Sequence, residues 1–209
     1  MRIRHRIVPL AAAVALTGGL AATEAAPALA AHPAPGKAPW RAAAGGTYLY
    51  FNKNWSNPSK SKLWLVKSIP NAKDKVLAKY RAGSGNGGRN GTNECASMQG
   101  WLPTGNYRVL NHTKHHNGGR SGINGYAIQV QDKLCKNHRT KRTELFVHSE
   151  MNVNGTQGPR KPGQDSPYRW DGDSDYYSLG CIKLAPTDIK KLFANAARYG
   201  WPTRLKVVN

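Results

Sequence analysis

Cys181 follows Gly180 in the run Ser178-Leu179-Gly180-Cys181-Ile182-Lys183, and His148 ends an upstream apolar run, Leu145-Phe146-Val147. A thiol and an imidazole are the pair that thiol-based acyl transfer needs, one to attack a carbonyl and one to take and return a proton. Glycine before the cysteine allows a sharp turn, which presents the sulfur and nearby N–H groups to one incoming carbonyl. The same hexapeptide also fits plain packing, because cysteine is a small apolar side chain or half of a disulfide. The chain holds three cysteines, Cys95, Cys135 and Cys181. An odd count in an exported protein predicts one pair and one free thiol. Cys95 lies in a Gly/Asn-rich stretch and Cys135 in a Lys-rich one, both surface settings. The expected staple is therefore Cys95–Cys135, with Cys181 free.

Three other clusters could carry chemistry, and each lacks a part. His112, His115 and His116 surround Lys114 in the polar stretch 111–125 and have no ligand-spaced partner beyond themselves, so a solvated loop is expected there. The glycine-rich run 83–88 lacks the Gly-Lys-Ser/Thr ending of a phosphate loop and no helical pattern follows it, so it reads as a mobile loop. Asp171-x-Asp173-x-Asp175 begins like a calcium loop, but Tyr176 and Ile182 stand where glycine and glutamate are required. No metal and no cofactor is expected.

The export argument comes from the N-terminus. Arg2, Arg4 and Arg6 precede an apolar run from about Ile7 to Leu20, and Ala28-Leu29-Ala30 has the small-residue pattern of a cleavage site. Residues 1–30 read as a secretory signal peptide, too short in its apolar run to serve as a membrane anchor. Residues 31–46 are rich in Ala, Pro and Gly and read as a flexible leader. Residues 47–209 are enough for one domain with one core. The formal charge is +20. No helix-turn-helix pattern, zinc-finger spacing or RNA-binding aromatic motif accompanies it, which argues against nucleic acid. An anionic surface outside the cell, such as wall polymers or peptide carboxylates, is the better match.

The elements that must position Cys181 and His148 are mostly strands. Thr47–Phe51, Leu63–Val66, Val76–Arg81, a segment reaching Leu110 after the Pro103-Thr104-Gly105 turn, Tyr126–Val130, Leu145–His148 and Arg204–Val208 have strand character. One helix is expected over Pro186–Tyr199, about 14 residues, with Ile189, Leu192, Phe193 and Ala196 on one face, Pro186 in the first turn and Gly200 as the stop. Asn152 to Tyr177 is a long polar segment, the kind that forms functional lids. The fold class is mainly β with one C-terminal helix.

Strand-His-Ser, the long segment, Ser-x-Gly-Cys-Ile-Lys and the helix together resemble the catalytic domain of the L,D-transpeptidases. Leu102-Pro103-Thr104-Gly105-Asn106-Tyr107 is similar to that family's Pro-x-Gly-x-Tyr/Phe turn, and the likeness covers most of residues 47–209. The resemblance implies a β-sandwich-like fold and peptidoglycan stem peptides as substrate. It implies Cys181 as nucleophile, His148 as base, Ser149 as the residue that orients His148, and the N–H groups of Leu179, Gly180 and Cys181 as the oxyanion hole. Ser178 and Lys183 match motif positions and are expected at the substrate, with Arg160 and Arg169 as further partners for stem carboxylates. Two departures stand out. Leu179 occupies the place of the motif's usual His, and the 33 positions from His148 to Cys181 exceed the family's usual spacing. The expected activity is extracytoplasmic cross-linking through a Cys thioester. The alternatives are L,D-carboxypeptidase trimming, a wall-cutting hydrolase, a toxin delivered to a competitor's wall, or a non-catalytic cationic wall-binding module.

Overall fold

Alternation of apolar and polar residues builds the sheet. Leu49 and Phe51, Leu63 and Leu65, and Leu205 and Val207 are almost completely buried, while the residues between them face outward. The computed structural model describes residues 45–209; the expected signal peptide and nearly all of the expected leader lie outside the described residues. In chain order the strands are β1 Thr47–Asn52, β2 Ser61–Lys67, β3 Lys75–Ala82, β4 Gly105–Asn117, β5 Asn124–Val130, β6 Lys133–Leu134, β7 Lys141–Arg142, β8 Leu145–His148, β9 Ile182–Lys183 and β10 Arg204–Val208. The helix α1, Pro186–Tyr199, lies between β9 and β10. Eight strands form one sheet in the order β3-β2-β1-β10-β4-β5-β8-β9, and β6 pairs with β7 as a separate hairpin. The fold of the described residues is mainly β with one α-helix, of 14 residues.

One long strand joins the two halves of the sheet. The first residues of β4, Gly105 to Arg108, pair with β10, and from Val109 onward β4 pairs with β5. The register shifts at Val109/Asn111 and Thr113/His116, where bulges bend the strand. The expected loop 111–125 is thus in large part the hairpin β4–β5. Its strands were hidden because that end of β4 is polar on both faces and shows no alternation.

The two outer edges of the sheet meet beside Cys181. Gly83, directly after β3, bridges to Lys183 of β9, with N–H to O distances of 3.0 and 2.9 Å in the two directions. A Cβ on Gly83 would fall 2.3 Å from the Tyr176 carbonyl oxygen, so only glycine allows this approach. Ser178 N–H donates to the Gly85 carbonyl at 2.8 Å. Gly83 to Gly85 of the glycine-rich run are therefore packed beneath the cysteine turn, while Asn86, Gly87 and Gly88 are exposed.

Strand direction explains the distance from His148 to Cys181 along the chain. β8 and β9 are parallel, with Val147 opposite Ile182 and His148 opposite Lys183. A chain leaving the end of β8 must return to the start of β9, and parallel neighbours need a crossover of a dozen residues or more. Residues 149–181 are that crossover. Buried Met151 and Tyr176 fix its two ends, Trp170 packs edge-on against Tyr176, and Asp173 pairs with Arg81 at 2.7 Å. Within it the continuously exposed part is 159–165, to which the lid expectation narrows. α1 buries Ile189, Leu192, Phe193 and Ala196 against the core, each larger side chain contributing roughly 1.5–3 kcal/mol.

Candidate active site

Parallel pairing puts the thiol and the imidazole on one face. Val147 and Ile182 point into the core with no exposure. Their neighbours therefore point the other way: Phe146 and His148 from β8, Lys183 from β9 and Cys181 just before it. Extending the register places Cys181 beside Phe146, two residues back from His148. That corresponds to roughly 8 Å between the Cα atoms, from the strand rise and spacing. An imidazole and a thiol can span this gap. Cys95 and Cys135 form the disulfide, leaving Cys181 as the free cysteine, partly exposed.

His148 is buried, and its Nδ1 lies 3.0 Å from the Ser149 carbonyl oxygen. A carbonyl only accepts, so Nδ1 carries the hydrogen and Nε2 is left with the lone pair when the ring is neutral. Burial, reinforced by the Lys183 charge, lowers His148 to a pKa of about 3, so the ring is neutral near pH 7. Ser149 contributes its carbonyl here; its buried hydroxyl has no hydrogen-bond partner among the described residues. The Cys181 thiol donates to the Glu144 carbonyl at 3.5 Å, and Glu144 itself is held at φ 53°, a left-handed conformation unusual for a residue with a side chain. Crowding that keeps water from a thiolate raises Cys181 to about 11, against the opposing pull of a Phe146 backbone hydrogen bond and the Arg142 and Lys183 charges. The resting pair is neutral thiol and neutral imidazole. Among the described residues the two share no hydrogen bond in this arrangement.

The turn that presents Cys181 is tied at three successive carbonyls. Arg142 Nη2 donates to Leu179 O at 2.8 Å, Ser84 Oγ to Gly180 O at 3.3 Å, and Ser178 Oγ to Cys181 O at 2.6 Å. Across a trans peptide the N–H points opposite to the C=O. With Gly180 O drawn inward to buried Ser84, the Cys181 N–H faces the thiol's side. The Gly180 N–H is already used by Ser178 Oγ at 3.2 Å. Of the three expected oxyanion donors, Leu179 and Cys181 remain for an incoming oxygen.

Two expected substrate contacts are placed elsewhere. The Ser178 hydroxyl is consumed within the turn, also accepting from Gly85 N–H at 3.2 Å. Lys183 is buried and forms a close ion pair with Glu150, so its ammonium does not reach solvent. Burial raises Glu150 to about 7 against the pull of Lys183. Arg169 is held by Asp171 at 2.9 Å and by the Gly158 carbonyl at 2.9 Å. Arg160 is exposed and borders a shallow groove of about 240 Å³ with Lys161 and Gln164. Leu179 is about half exposed beside the cysteine, offering an apolar contact where the motif would have an imidazole.

The residue missed from the sequence is Arg142. Its buried guanidinium donates to Glu94 O at 2.8 Å, Gly100 O at 2.9 Å and Trp101 O at 3.4 Å, besides Leu179 O. It fills the space of a Gly180 side chain: a Cβ there would lie 2.1 Å from Nη2, and Gly180 has φ +135°. Arg142 sits on β7, in the hairpin that the disulfide ties at Cys135 to Cys95, the neighbour of Glu94. Nothing in a segment crowded with Lys133, Lys136, Arg139 and Lys141 marks one base as buried. His116 was read as solvated, yet it packs on Phe146 with ring centroids 5.1 Å apart and adds to the positive field on His148.

Three carboxylates of the crossover lie close together, and Glu150 Oε2 is buried with no hydrogen-bond partner among the described residues. Glu150, Asp165 and Asp175 bring oxygens within 4.8 Å of one another. Glu150 Oε1 is taken by Lys183, and Asp175 accepts the backbone N–H groups of Asp171 and Gly172. Asp171 and Asp173, the rest of the calcium-like run, are paired with Arg169 and Arg81.

No protein-family model and no curated protein matches this chain. Among solved structures it is similar to Bd1075 of Bdellovibrio bacteriovorus, with 14% identity and a TM-score of 0.47, over 78% of this chain and 47% of that one. The chain spans about half the length of that structure.

Proposed function

We propose that this protein is an L,D-transpeptidase-like cysteine acyl transferase acting on peptidoglycan stem peptides outside the cell. The observation that carries the reading is one free thiol beside an imidazole whose tautomer is fixed, the other two cysteines being spent on a disulfide. His148 Nε2 takes the Cys181 proton as sulfur attacks the amide carbonyl that follows the L-centre of the diamino acid. The Leu179 and Cys181 N–H groups receive the developing oxyanion. Collapse breaks the C–N bond, D-Ala leaves with the proton from His148, and a Cys181 thioester remains. The amine of a second stem then attacks, loses its proton to His148 and expels the sulfur, which regains its proton.

Burial raises the thiol and lowers the imidazole, which favours a neutral resting pair and proton transfer during attack over a standing thiolate–imidazolium pair. Water in place of the second amine would give the carboxypeptidase reaction from the same residues. The test is to incubate the protein with purified tetrapeptide stems and weigh the products. Cross-linked dimer supports transfer, free tripeptide supports trimming, and neither product rejects both readings.

A further inference from the structure

The crossover from β8 to β9 gathers three carboxylates that the chemistry at Cys181 does not use. Glu150 comes from its first residues, Asp165 from its exposed part and Asp175 from the short helical turn Asp173–Tyr176. One oxygen of each lies within 4.8 Å of the others. Glu150 is 8% exposed and Asp175 4% exposed. Glu150 gives Oε1 to Lys183, while Oε2 is buried with no hydrogen-bond partner among the described residues. A buried carboxylate oxygen without a partner is costly, and neighbouring carboxylates add repulsion. Asp175 Oδ2 accepts two backbone N–H groups, but Oδ1 accepts only the Ser174 hydroxyl, at 3.2 Å, and keeps a lone pair. The Asp165 side chain is exposed and has no hydrogen bond or ion pair among the described residues. Three carboxylates against the one ammonium of Lys183 leave two negative charges uncancelled. The groove of about 240 Å³ beside Arg160 is lined also by Asp165, Asp175, Ser174 and Gln164, so solvent ions reach the cluster.

We infer that Glu150, Asp165 and Asp175 form a binding site for a hard divalent cation, calcium in preference to magnesium. Every donor is oxygen, with no imidazole or thiol among them, which suits calcium, magnesium or manganese and not zinc or copper. Calcium gathers oxygens at about 2.4 Å, so oxygens on opposite sides of it stand about 4.8 Å apart. Magnesium needs about 2.1 Å and near-ideal octahedral order. The observed limit of 4.8 Å therefore lets calcium bind without drawing the carboxylates together. A divalent ion also cancels the two excess charges and leaves Lys183 on Oε1. Ser174 and Gln164 line the same groove and, with water, supply the rest of a shell of about six to eight oxygens. The spacing Asp171-x-Asp173-x-Asp175 suggested a different set; Asp171 and Asp173 are held by arginines, and only Asp175 belongs to this cluster. Bound here, the ion joins the exposed part of the crossover to its two buried ends. The site does not depend on the reaction proposed for Cys181.

The test uses the full chain freed of cations by chelation, with terbium as a luminescent probe for calcium. Tryptophan excitation reports terbium at the site, because Lys183 Nζ, paired with Glu150, lies 6.0 Å from the Trp170 ring. Calcium is expected to displace terbium with a Kd of about 10⁻⁴–10⁻³ M, a weak range because Arg160 and Lys161 border the same groove. Magnesium is expected to need at least about tenfold more. Asp165→Asn should weaken calcium binding at least about tenfold. Asp173→Asn removes the same charge from the same crossover outside the cluster and should change it less than about threefold. Calcium should raise the thermal midpoint of the unaltered protein and leave that of Asp165→Asn unmoved. Asp165 is exposed and unpaired, so without calcium the two proteins should unfold at the same temperature. No sensitised emission, equal loss in both variants, or magnesium displacing terbium as readily as calcium would overturn the inference.

Discussion

Replacing Arg142 by Met should weaken both the fold and the site. The guanidinium is buried and makes three hydrogen bonds of 2.8–2.9 Å and one of 3.4 Å to carbonyls from two separate segments and the cysteine turn. Methionine fills much of the volume but donates nothing, so at least three buried carbonyls lose their partner. Each orphaned group costs about 1–3 kcal/mol, and relief from burying a charge offsets part of this. Burial does disfavour the charged state, since the Arg142 pKa is lowered. The net expectation is about 3–5 kcal/mol, a large share of the 5–15 kcal/mol typical of a domain. Urea unfolding followed by tryptophan fluorescence reads it directly. Freed from Arg142, Leu179 O no longer fixes the Cys181 peptide, and misplacement of about 1 Å can cost a hundredfold in rate. Arg142→Lys should fall between the two proteins, because one ammonium cannot reach carbonyls arranged around a planar fork. An Arg142→Met protein within about 1 kcal/mol of the unaltered one, with unchanged turnover, would refute the assignment.

Four further outcomes follow from the same geometry. Cys181 should react with iodoacetamide about a hundredfold more slowly than an ordinary thiol at pH 7, the rate rising through about pH 11; a plateau below pH 9 would show a preformed thiolate. Glu150 has its folded pKa raised from 4.5 to about 7, so its contribution to stability is fully present below pH 4.5 and is lost as pH rises through 7; Glu150→Gln should remove that slope from a stability–pH curve. His148 acts in the opposite sense, its lowered pKa giving stability that is present above pH 6.5 and lost as pH falls toward 3, so the acid limb of the same curve should survive in the Glu150→Gln protein. Gly180→Ala should resemble Arg142→Met in stability and turnover, since a methyl group there would displace the guanidinium; an alanine protein as active as the original would show that the turn relaxes freely.

Periodicity made the main strands and α1 legible: the helix Pro186–Tyr199 and the strands Leu145–His148 and Arg204–Val208 have the expected limits. Pro186–Tyr199 presents a buried helical stripe and Arg204–Val208 an alternation, while Leu145–His148 is a short run buried at every position. β9 was invisible because two residues carry no period, although Ile182 and Leu184 around buried Lys183 hint at a central strand. Lys183 was expected at the substrate from its motif position, and without β9 nothing marked it as buried. Its partner Glu150 lies across the crossover, and such pairing is not written in local sequence. The parallel direction of β9 was equally hidden, so the length of 149–181 looked like an inserted lid. Cys181 and His148 could be singled out because a thiol and an imidazole are recognisable by residue type alone. Arg142 does not: its role is set by four carbonyls brought together only in the folded chain.

The most direct measurement is intact-protein mass spectrometry after brief mixing with a tetrapeptide stem, followed by peptide mapping. The account predicts a stem-derived acyl group, less D-Ala, attached to Cys181 and released by hydroxylamine as a thioester is. It also predicts that Cys181→Ser loses this adduct and nearly all turnover, and that His148→Asn accumulates little of it. Turnover with no adduct on Cys181, retained in the Cys181→Ser protein, would contradict the account at its centre.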